Sequence, residues 1–566
     1  MALFFALHRT GVGIGLHLNC KTMKTTVFTL CLWLGITGIA SGQSFHYLET
    51  IPNDFNYTSP QIATDPQGNT YVAGNFGYDL TIDGLTVSND VYLSIFVAKY
   101  NKNGNLIWLR SIESSALCAQ QEITYNKITK GILVCGSFGD TLTIGATNYI
   151  SQGETDGFWA SFDAAGNVLN SNVVGGSESD WLTDIGADKN GNIYVSGNSY
   201  SDELLFNGIS QQMGTNHTGL IAKYSNTGTP IWMRTIVGGD NLDMNNIDVA
   251  ANGTTYFAFN VDGTYSINNG MDDSYAIIKD DDEKNIVAYS LNKNGETNQF
   301  TEFTVSSFYT RAVDIVFDGS VNIAINMHDT VDVYGDSYVS APDGYDVLIV
   351  RVSFTTFDLA WVKHITSPYL IVASTIKSVN GNILVAGDYR QYAACDAATM
   401  ENPFEDAESF LATIAIPSGT ILGLADFDNV EAGDLITDLD ADKNNNIYIC
   451  GLFTGDIYFD AFHGVSQPAK YNIFLTRLNA FILKEENPIA EQSIQLYPNP
   501  TTAYITAEGL SGTWHITNMQ GQVIMSGESD NEKSTTINVQ SLTAGTYLLS
   551  YTNNAQQITT QQFIKQ

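Results

Sequence analysis

The sequence predicts an all-β chain: a seven-bladed β-propeller followed by a small C-terminal β-sandwich. Three observations carry this reading. Of 566 residues only 15% are charged, while Gly (49), Tyr (29) and Phe (28) are abundant, a mixture that favours strands and turns over long helices. A unit of about sixty residues recurs seven times. After Leu483 the repeat stops and short alternating strands take over.

The repeat is anchored on NTYVAG (69–74), which returns as GILVCG (131–136), NIYVSG (192–197), TTYFAF (254–259), SVNIAI (320–325), NILVAG (382–387) and NIYICG (446–451). The last residues, Gly74, Gly136, Gly197, Phe259, Ile325, Gly387 and Gly451, lie 61 to 66 positions apart. Each unit reads as an apolar stretch, a turn such as DKNGN (188–192), a strand, a variable polar loop, and two strands around a second Gly turn. That second pair is clearest in FVAKYNKNGNLIW (96–108) and LIAKYSNTGTPIW (220–232). Four-stranded sheets at this period bury their faces by packing radially about an axis, and a β-solenoid would repeat at much shorter intervals. The seventh unit ends in FLTRLNAF (474–481) without a partner like LIWLRSI (106–112). FHYLETI (45–51) resembles that partner, so Phe45 to Ile51 is expected to complete blade seven. Units four to six depart from the pattern at Phe259, Ile325, the acidic run Asp280–Glu283 and the long segment 395–408, and such departures are candidate binding surfaces.

The repeats resemble those of bacterial exported β-propellers over about 430 residues. The resemblance specifies architecture and leaves activity open, because the propeller hosts many functions.

Ahead of the repeats, Met23-Lys24, the apolar stretch VFTLCLWLGI (27–36) and the small residues Ala40, Ser41 and Gly42 read as a signal peptide over 23–42, cleaved between Gly42 and Gln43. Residues 1–22 lie upstream of it and read as an over-long start. The apolar run is shorter than the ~20 residues a spanning helix needs, so no transmembrane segment is expected in the mature protein. The formal net charge of −35 disfavours nucleic acid and anionic lipid as partners. Cys135 and Cys450 share a repeat position with Ala73, Ser196, Ala258 and Ala386, a place for a small buried side chain. Cys118 and Cys395 are left undecided.

Catalytic machinery is not legible. His46, His217, His328, His364, His463 and His515 form no zinc motif, and nucleophile-elbow and Walker patterns are absent. Asp65, Asp188 and Asp442 open turns. The run DLDADKNNN (438–446) is a partial calcium loop without the Gly and distal Glu of an EF-hand, so a turn role suffices and no cofactor is assigned, with calcium the one candidate. Carboxylate pairs for glycoside hydrolysis cannot be read from spacing.

KEENPIAEQ (484–492) within 484–493 reads as a linker. Beyond it, IQLYPNP (494–500), AYITAEG (503–509), TWHITNMQGQVIMSGE (513–528), TINVQSL (536–542), GTYLLSYTNN (545–554) and QITTQQFIKQ (557–566) alternate as a sandwich should. Its motifs are LYPNPT (Leu496, Tyr497, Pro498, Asn499, Pro500), NMQGQVI around Gly521, LTAGTY with Gly545 and Tyr547, and a terminus with Phe563 and Lys565. In that order they are similar to the type A C-terminal sorting domain of the type IX secretion system of Bacteroidetes. The resemblance implies passage through the outer-membrane translocon, removal of residues 494–566 by a sortase-like processing enzyme, and release or attachment at the cell surface. Gln561 and Gln562 stand where that family commonly has lysine.

The function expected is ligand binding, to glycan or protein, by a propeller spanning 43–483, with Tyr78, Tyr200, Tyr389 and Tyr392 as aromatic contacts. The alternatives are an enzyme acting on extracellular polysaccharide and a passive surface-layer component. Carboxylates from several blades converging with a polar pocket on one axial mouth would favour the enzyme, and an aromatic or featureless mouth would favour binding.

Overall fold

Runs of Val, Ile, Tyr and Phe become strands because branched and aromatic side chains pack well on a pleated surface. The turns between them close on Asp side chains. In the computed structural model Asp188 accepts from the main-chain N–H of Asn190 (2.8 Å) and Asn192 (3.0 Å) and from the Asn192 amide (2.7 Å), and Gly191 supplies φ 78°. Asp65 and Asp442 make the same bonds in their turns.

The structure describes residues 45–52, 59–89, 93–206, 209–213, 217–268, 274–277, 284–307, 309–342, 344–353, 355–402, 407–426, 434–459, 462–466 and 470–479 in a first compact unit. In a second it describes 495–508, 512–518, 523–529, 534–552 and 558–566. The signal segment with Gly42 and Gln43, the acidic run Asp280–Glu283, the linker and Gly521 lie outside the described residues.

In the first unit the strands form four-stranded antiparallel blades. Blade one is Gln61–Thr64, Thr70–Phe76, Ser94–Tyr100 and Leu106–Ser114; blade two is Cys118–Asn126, Gly131–Phe138, Asp156–Phe162 and Val168–Val174. Blade three is Asp180–Ala187, Ile193–Ser199, Thr218–Tyr224 and the first part of Pro230–Val249. The second part of that 20-residue strand opens blade four, with Thr255–Asn268, Lys284–Leu291 and Thr297–Val305. Blade five is Arg311–Phe317, Ser320–Met327, Asp346–Ser353 and Leu359–Ile365; blade six is Leu370–Val379, Asn382–Arg390, Glu408–Ala415 and Ile421–Asp426. Blade seven is Asp434–Ala441, Ile447–Phe453, Asn472–Leu478 and, from the start of the described chain, Phe45–Ile51, which pairs antiparallel with Asn472–Leu478. The first strands of successive blades are neighbours, and that of blade seven adjoins that of blade one, so the ring closes on itself.

Three features differ from the sequence reading. The variable polar loop of six of the seven units contains a β-hairpin, at 79–88, 141–150, 203–212, 330–339, 392–401 and 456–465. Two-residue turns such as Asp83-Gly84 and Tyr334-Gly335, with positive φ at both residues, are the signal that marks it. Its first strand buries alternate residues, and Cys395 stands there where Ile82, Ile144, Phe206, Val333 and Phe459 stand in other blades, which explains a buried thiol. Cys118, Cys135 and Cys450 are buried free thiols as well. Second, Phe259 and Ile325 are fully buried core residues, so these two departures from the repeat add no binding surface. Third, units three and four share one continuous strand.

The second unit packs a three-stranded sheet (Gln495–Tyr497, Tyr504–Glu508, Ser534–Asn538) with a four-stranded one (Val523–Ser529, Gly512–Asn518, Gly545–Thr552, Ile558–Lys565) around Ile505, Trp514, Ile516, Leu549 and Phe563. Among the described residues no helix is long and apolar enough to cross a membrane.

Candidate functional site

Six of the seven first strands carry a β-bulge at one repeat position. The side chains there, Gln61 included, are all polar: Gln61, Glu122, Asp184, Asn246, Asp314, Thr375 and Asp438. A bulge leaves main-chain N–H groups without a ladder partner, and the carboxylates supply one. Asp184 accepts from Ile185 of its own blade (2.5 Å) and Ile247 of the next (2.7 Å). Asp314 does the same for Ile315 (2.7 Å) and Ile376 (2.9 Å), and Asp438 for Leu439 (2.8 Å) and Ile62 (3.0 Å). Two positions on, Asp248 receives Phe317 (2.7 Å) and Asp440 receives Thr64 (2.7 Å). The acids are latches between consecutive blades, and Asp438 and Asp440 join the last blade to the first.

These residues line an axial cavity of about 850 Å³. Burial pushes the Asp184 acid up to about 7, with Asp314 adding to it, and pushes Asp438 up to about 6 against the pull of Lys377. Lys377 lies among them; although burial works against its charge, Asp438, Asp314, Asp440 and Glu122 hold its ammonium well above the usual lysine value. An acid whose folded value is raised contributes stability below its unfolded value of ~4 and loses it as pH rises through the folded value. The contribution of these acids to the melting temperature is therefore expected to fall between about pH 4 and pH 7, and less steeply in Asp184→Asn; calorimetry across that range checks it. Asp438→Ala leaves two buried N–H groups unbonded and should cost about 3 kcal/mol in urea titrations.

A second cavity, of about 240 Å³, opens at the end where the first strands of blades three to five begin. Trp181 sits one residue into its strand, Tyr200 follows the second strand, and His217 precedes the third. Their rings converge: Tyr200 stacks on His217 at 4.5 Å, and Trp181 lies 5.6 Å from Tyr200 and 5.5 Å from His217. Tyr200 is 52% exposed, so the stack is open to solvent. Opposite stand Asp243 and Arg311, 3.6 Å apart. Burial lowers His217 below its ordinary value, and its Nε2, itself buried, has no hydrogen-bond partner.

Of the four tyrosines singled out by sequence, Tyr200 alone joins this cleft. Tyr78 is exposed elsewhere, and Tyr392 is half-buried on a blade-six hairpin. Tyr389 is fully buried and donates to Asp426 at 3.3 Å, so it belongs to the core of blade six; its repeat position, two residues after the Gly, which Phe76, Phe138 and Phe453 hold in other blades, was the signal. Trp181, His217, Asp243 and Arg311 are far apart in sequence and carry no motif, which is why sequence reasoning missed them. Among the described residues no group of three or more His, Cys, Asp or Glu side chains is placed to hold a metal ion. His364 bonds Asp346 (2.8 Å), His463 bonds Asp456 (3.0 Å), and His328 bonds Ser307 (3.2 Å).

In the second unit the first and last motifs meet. Asn499 accepts from the N–H of Ile564 (2.9 Å), Thr501 donates its N–H to the Ile564 carbonyl (2.8 Å), and Gln566 donates back to Thr501 (2.8 Å). Tyr547 stacks on Phe563 at 5.7 Å and donates to the Thr543 carbonyl, while Leu496 packs on the core beside them. Tyr497, Pro498, Asn499, Pro500 and Gly545 are exposed, and Lys565 is buried.

Blades around an axis and a separate small sandwich whose terminal motifs interlock define an exported, all-β propeller-repeat protein with a sorting tail. Residues 495–566 match the family of secretion system C-terminal sorting domains, and residues 174–204 match the β-propeller repeat family. The protein is thus a type IX secretion cargo, secreted or attached at the outer-membrane surface. Similar solved structures include a streptogramin B lyase, 11% identical, covering 77% of this chain and 98% of that one at a TM-score of 0.36. A europium-containing methanol dehydrogenase is 9% identical over 76% and 93% at 0.31, and a Synechocystis apocarotenoid oxygenase mutant 9% identical over 74% and 88% at 0.34. Likeness at this level says nothing of activity. No curated protein matches the chain.

Proposed function

We propose that this surface or secreted propeller is a non-catalytic binding protein whose ligand is a glycan, held in the cleft of blades three to five. The observation that carries this reading is the open stack of Trp181, Tyr200 and His217 facing Asp243 and Arg311. Aromatic faces cover the apolar C–H surface of a sugar ring, and a few convergent polar groups fix its hydroxyls. Propellers present such mouths on rigid strand ends, which keeps the ordering cost of binding low. A glycan array probed with the purified protein is expected to give a restricted set of positives. Trp181→Ala should weaken them at least roughly tenfold, about 1.4 kcal/mol, while leaving thermal stability nearly unchanged. Equal binding by the variant would remove the cleft from consideration.

An enzyme acting on extracellular polysaccharide is the second reading, favoured by the convergence of carboxylates from several blades on the axis and by the raised Asp184 acid. Against it, the oxygens of Asp184, Asp314 and Asp438 are engaged with main-chain N–H groups that hold the ring together. A hydrolysis assay run on the array positives separates the two readings, since turnover abolished by Asp184→Asn would establish the enzyme.

A further inference from the structure

Around the outside of the ring, the fourth strand of a blade grips the Gly turn of the next. In blade one, Lys99 and Trp108 donate to the Ala164 carbonyl, and the Arg110 guanidinium fills a cradle of three more carbonyls: Gly166 (3.1 Å), Leu109 (2.9 Å) and Ala165 (3.3 Å). Blade three repeats it: Lys223 and Trp232 bond the Lys293 carbonyl, and Arg234 reaches Gly295 (2.7 Å), Met233 (2.8 Å) and Asn294 (3.1 Å). In blade two Asn172 stands at the position of Arg110, while Asn170, at the position of Trp108, donates its amide nitrogen to Leu169 (3.1 Å) and Thr227 (3.0 Å). At their shared position Arg110 and Arg234 are donors, matched to a cradle made of carbonyl oxygens.

At the junction of blade seven with blade one the pattern continues, except at that position. Arg477 replaces Lys99 and donates to the Lys102 carbonyl (3.0 Å), and Tyr47 replaces Trp108 against the turn at Gly104. Where Arg110 and Arg234 stand, the closing strand has Glu49. Its carboxylate occupies the guanidinium's place. A Cβ built on Gly104 would lie 3.0 Å from Glu49 Oε1, as one on Gly166 would lie 3.2 Å from Arg110 Nε and one on Gly295 3.0 Å from Arg234 Nε. The equivalent carbonyls are those of Leu48, Asn103 and Gly104. Acceptors therefore face an acceptor, at the one junction that closes the ring, and the exposed Asp83 of the blade-one hairpin adds negative charge beside it.

We propose that this junction is a binding site for a hard divalent cation, calcium by its chemistry, with the Glu49 carboxylate and the cradle carbonyls of Asn103 and Gly104 as ligands. A carboxylate with main-chain carbonyls and water is the ordinary ligand set of such an ion, and the ion restores at the closing junction the positive charge that Arg110 and Arg234 bring elsewhere. Consistent with a missing counter-charge, burial and then Asp83 push the Glu49 acid up to about 7. Because the ion bridges Phe45–Ile51 to blade one, its binding stabilises closure.

The test is a set of thermal melts on chelator-treated full-length protein at pH 7.5, with calcium chloride raised to 5 mM. The wild type is expected to gain about 2 °C or more, Glu49→Gln to gain nothing, and Glu49→Arg to melt without calcium at or above the calcium-loaded wild type, because the guanidinium fills the cradle. Magnesium at the same concentration should do less. An equal calcium response in Glu49→Gln, or none in the wild type, overturns the proposal. So does a wild type that ignores calcium yet loses stability as pH rises through 7 in a Glu49-dependent way, since a proton would then be the missing donor.

Discussion

Deleting Phe45–Ile51 from the purified protein is expected to remove the cooperative unfolding transition or shift it to far lower denaturant. The segment buries Phe45, Tyr47 and Ile51, with Phe45 packed on Phe459 at a ring distance of 4.7 Å. Three large side chains at ~1.5 to 3 kcal/mol each amount to about 6 kcal/mol, against a total of ~5 to 15 kcal/mol for a domain. The loss is compounded by topology. Asn472–Leu478 becomes an unpaired edge on one side, and the Thr476 hydroxyl loses the Tyr47 carbonyl (2.6 Å), so closure falls to the direct contacts of blade seven with blade one, among them the axial latches of Asp438 and Asp440 and the Arg477 bond to Lys102. Urea titration followed by tryptophan fluorescence reads the effect. A midpoint within experimental error of the wild type would show that the ring does not depend on this strand.

Truncation before Ile494 is expected to stop surface delivery altogether while leaving the propeller folded. The tail is a compact unit with its own core around Ile505, Trp514, Ile516, Leu549 and Phe563. The secretion motifs are brought together within it, Asn499 and Thr501 being bonded to the terminal strand at Ile564 and Gln566. Fractionation and protease accessibility of intact cells should find the truncated chain in the periplasm, with an unchanged melting profile after purification. A subtler variant, Phe563→Ala, removes a fully buried ring from the sandwich core at a cost of ~3 to 5 kcal/mol and should impair delivery by unfolding the tail alone. Surface exposure of the truncated chain would sink the assignment of the tail as the address.

The all-β class was legible because strand composition and turn chemistry act locally. An Asp four residues ahead of an Asn, with Gly between, closes the same turn in blade after blade whatever surrounds it. Likeness between FHYLETI and LIWLRSI persists for a related reason: a fourth strand meets the same kind of neighbours in every blade. The inserted hairpins were less visible because their strands are four residues long and only one side is buried, though Asp83-Gly84 advertised one. The continuous strand Pro230–Val249 could not be read, since nothing in its residues says where one blade ends and the next begins.

The sites divide along the same line. Sequence by itself determined the address at the C-terminus, because the sorting motifs are contiguous words within a single small domain, whereas the polar residues at the bulges were picked out only by the pairing of the strands. What those polar residues do was decided only by the tertiary structure. Asp184 and Asp438 could have been catalytic acids or a calcium loop until their oxygens were seen to hold the N–H groups of Ile247 and Ile62, the latter 376 positions away in the chain. The aromatic cleft is likewise a product of closure, since Trp181, His217 and Arg311 meet only when adjacent blades turn their strand ends toward one mouth. Local chemistry can be read along a chain; convergence requires that the chain be folded, because the distances that decide it are set by packing between blades and not by spacing in sequence.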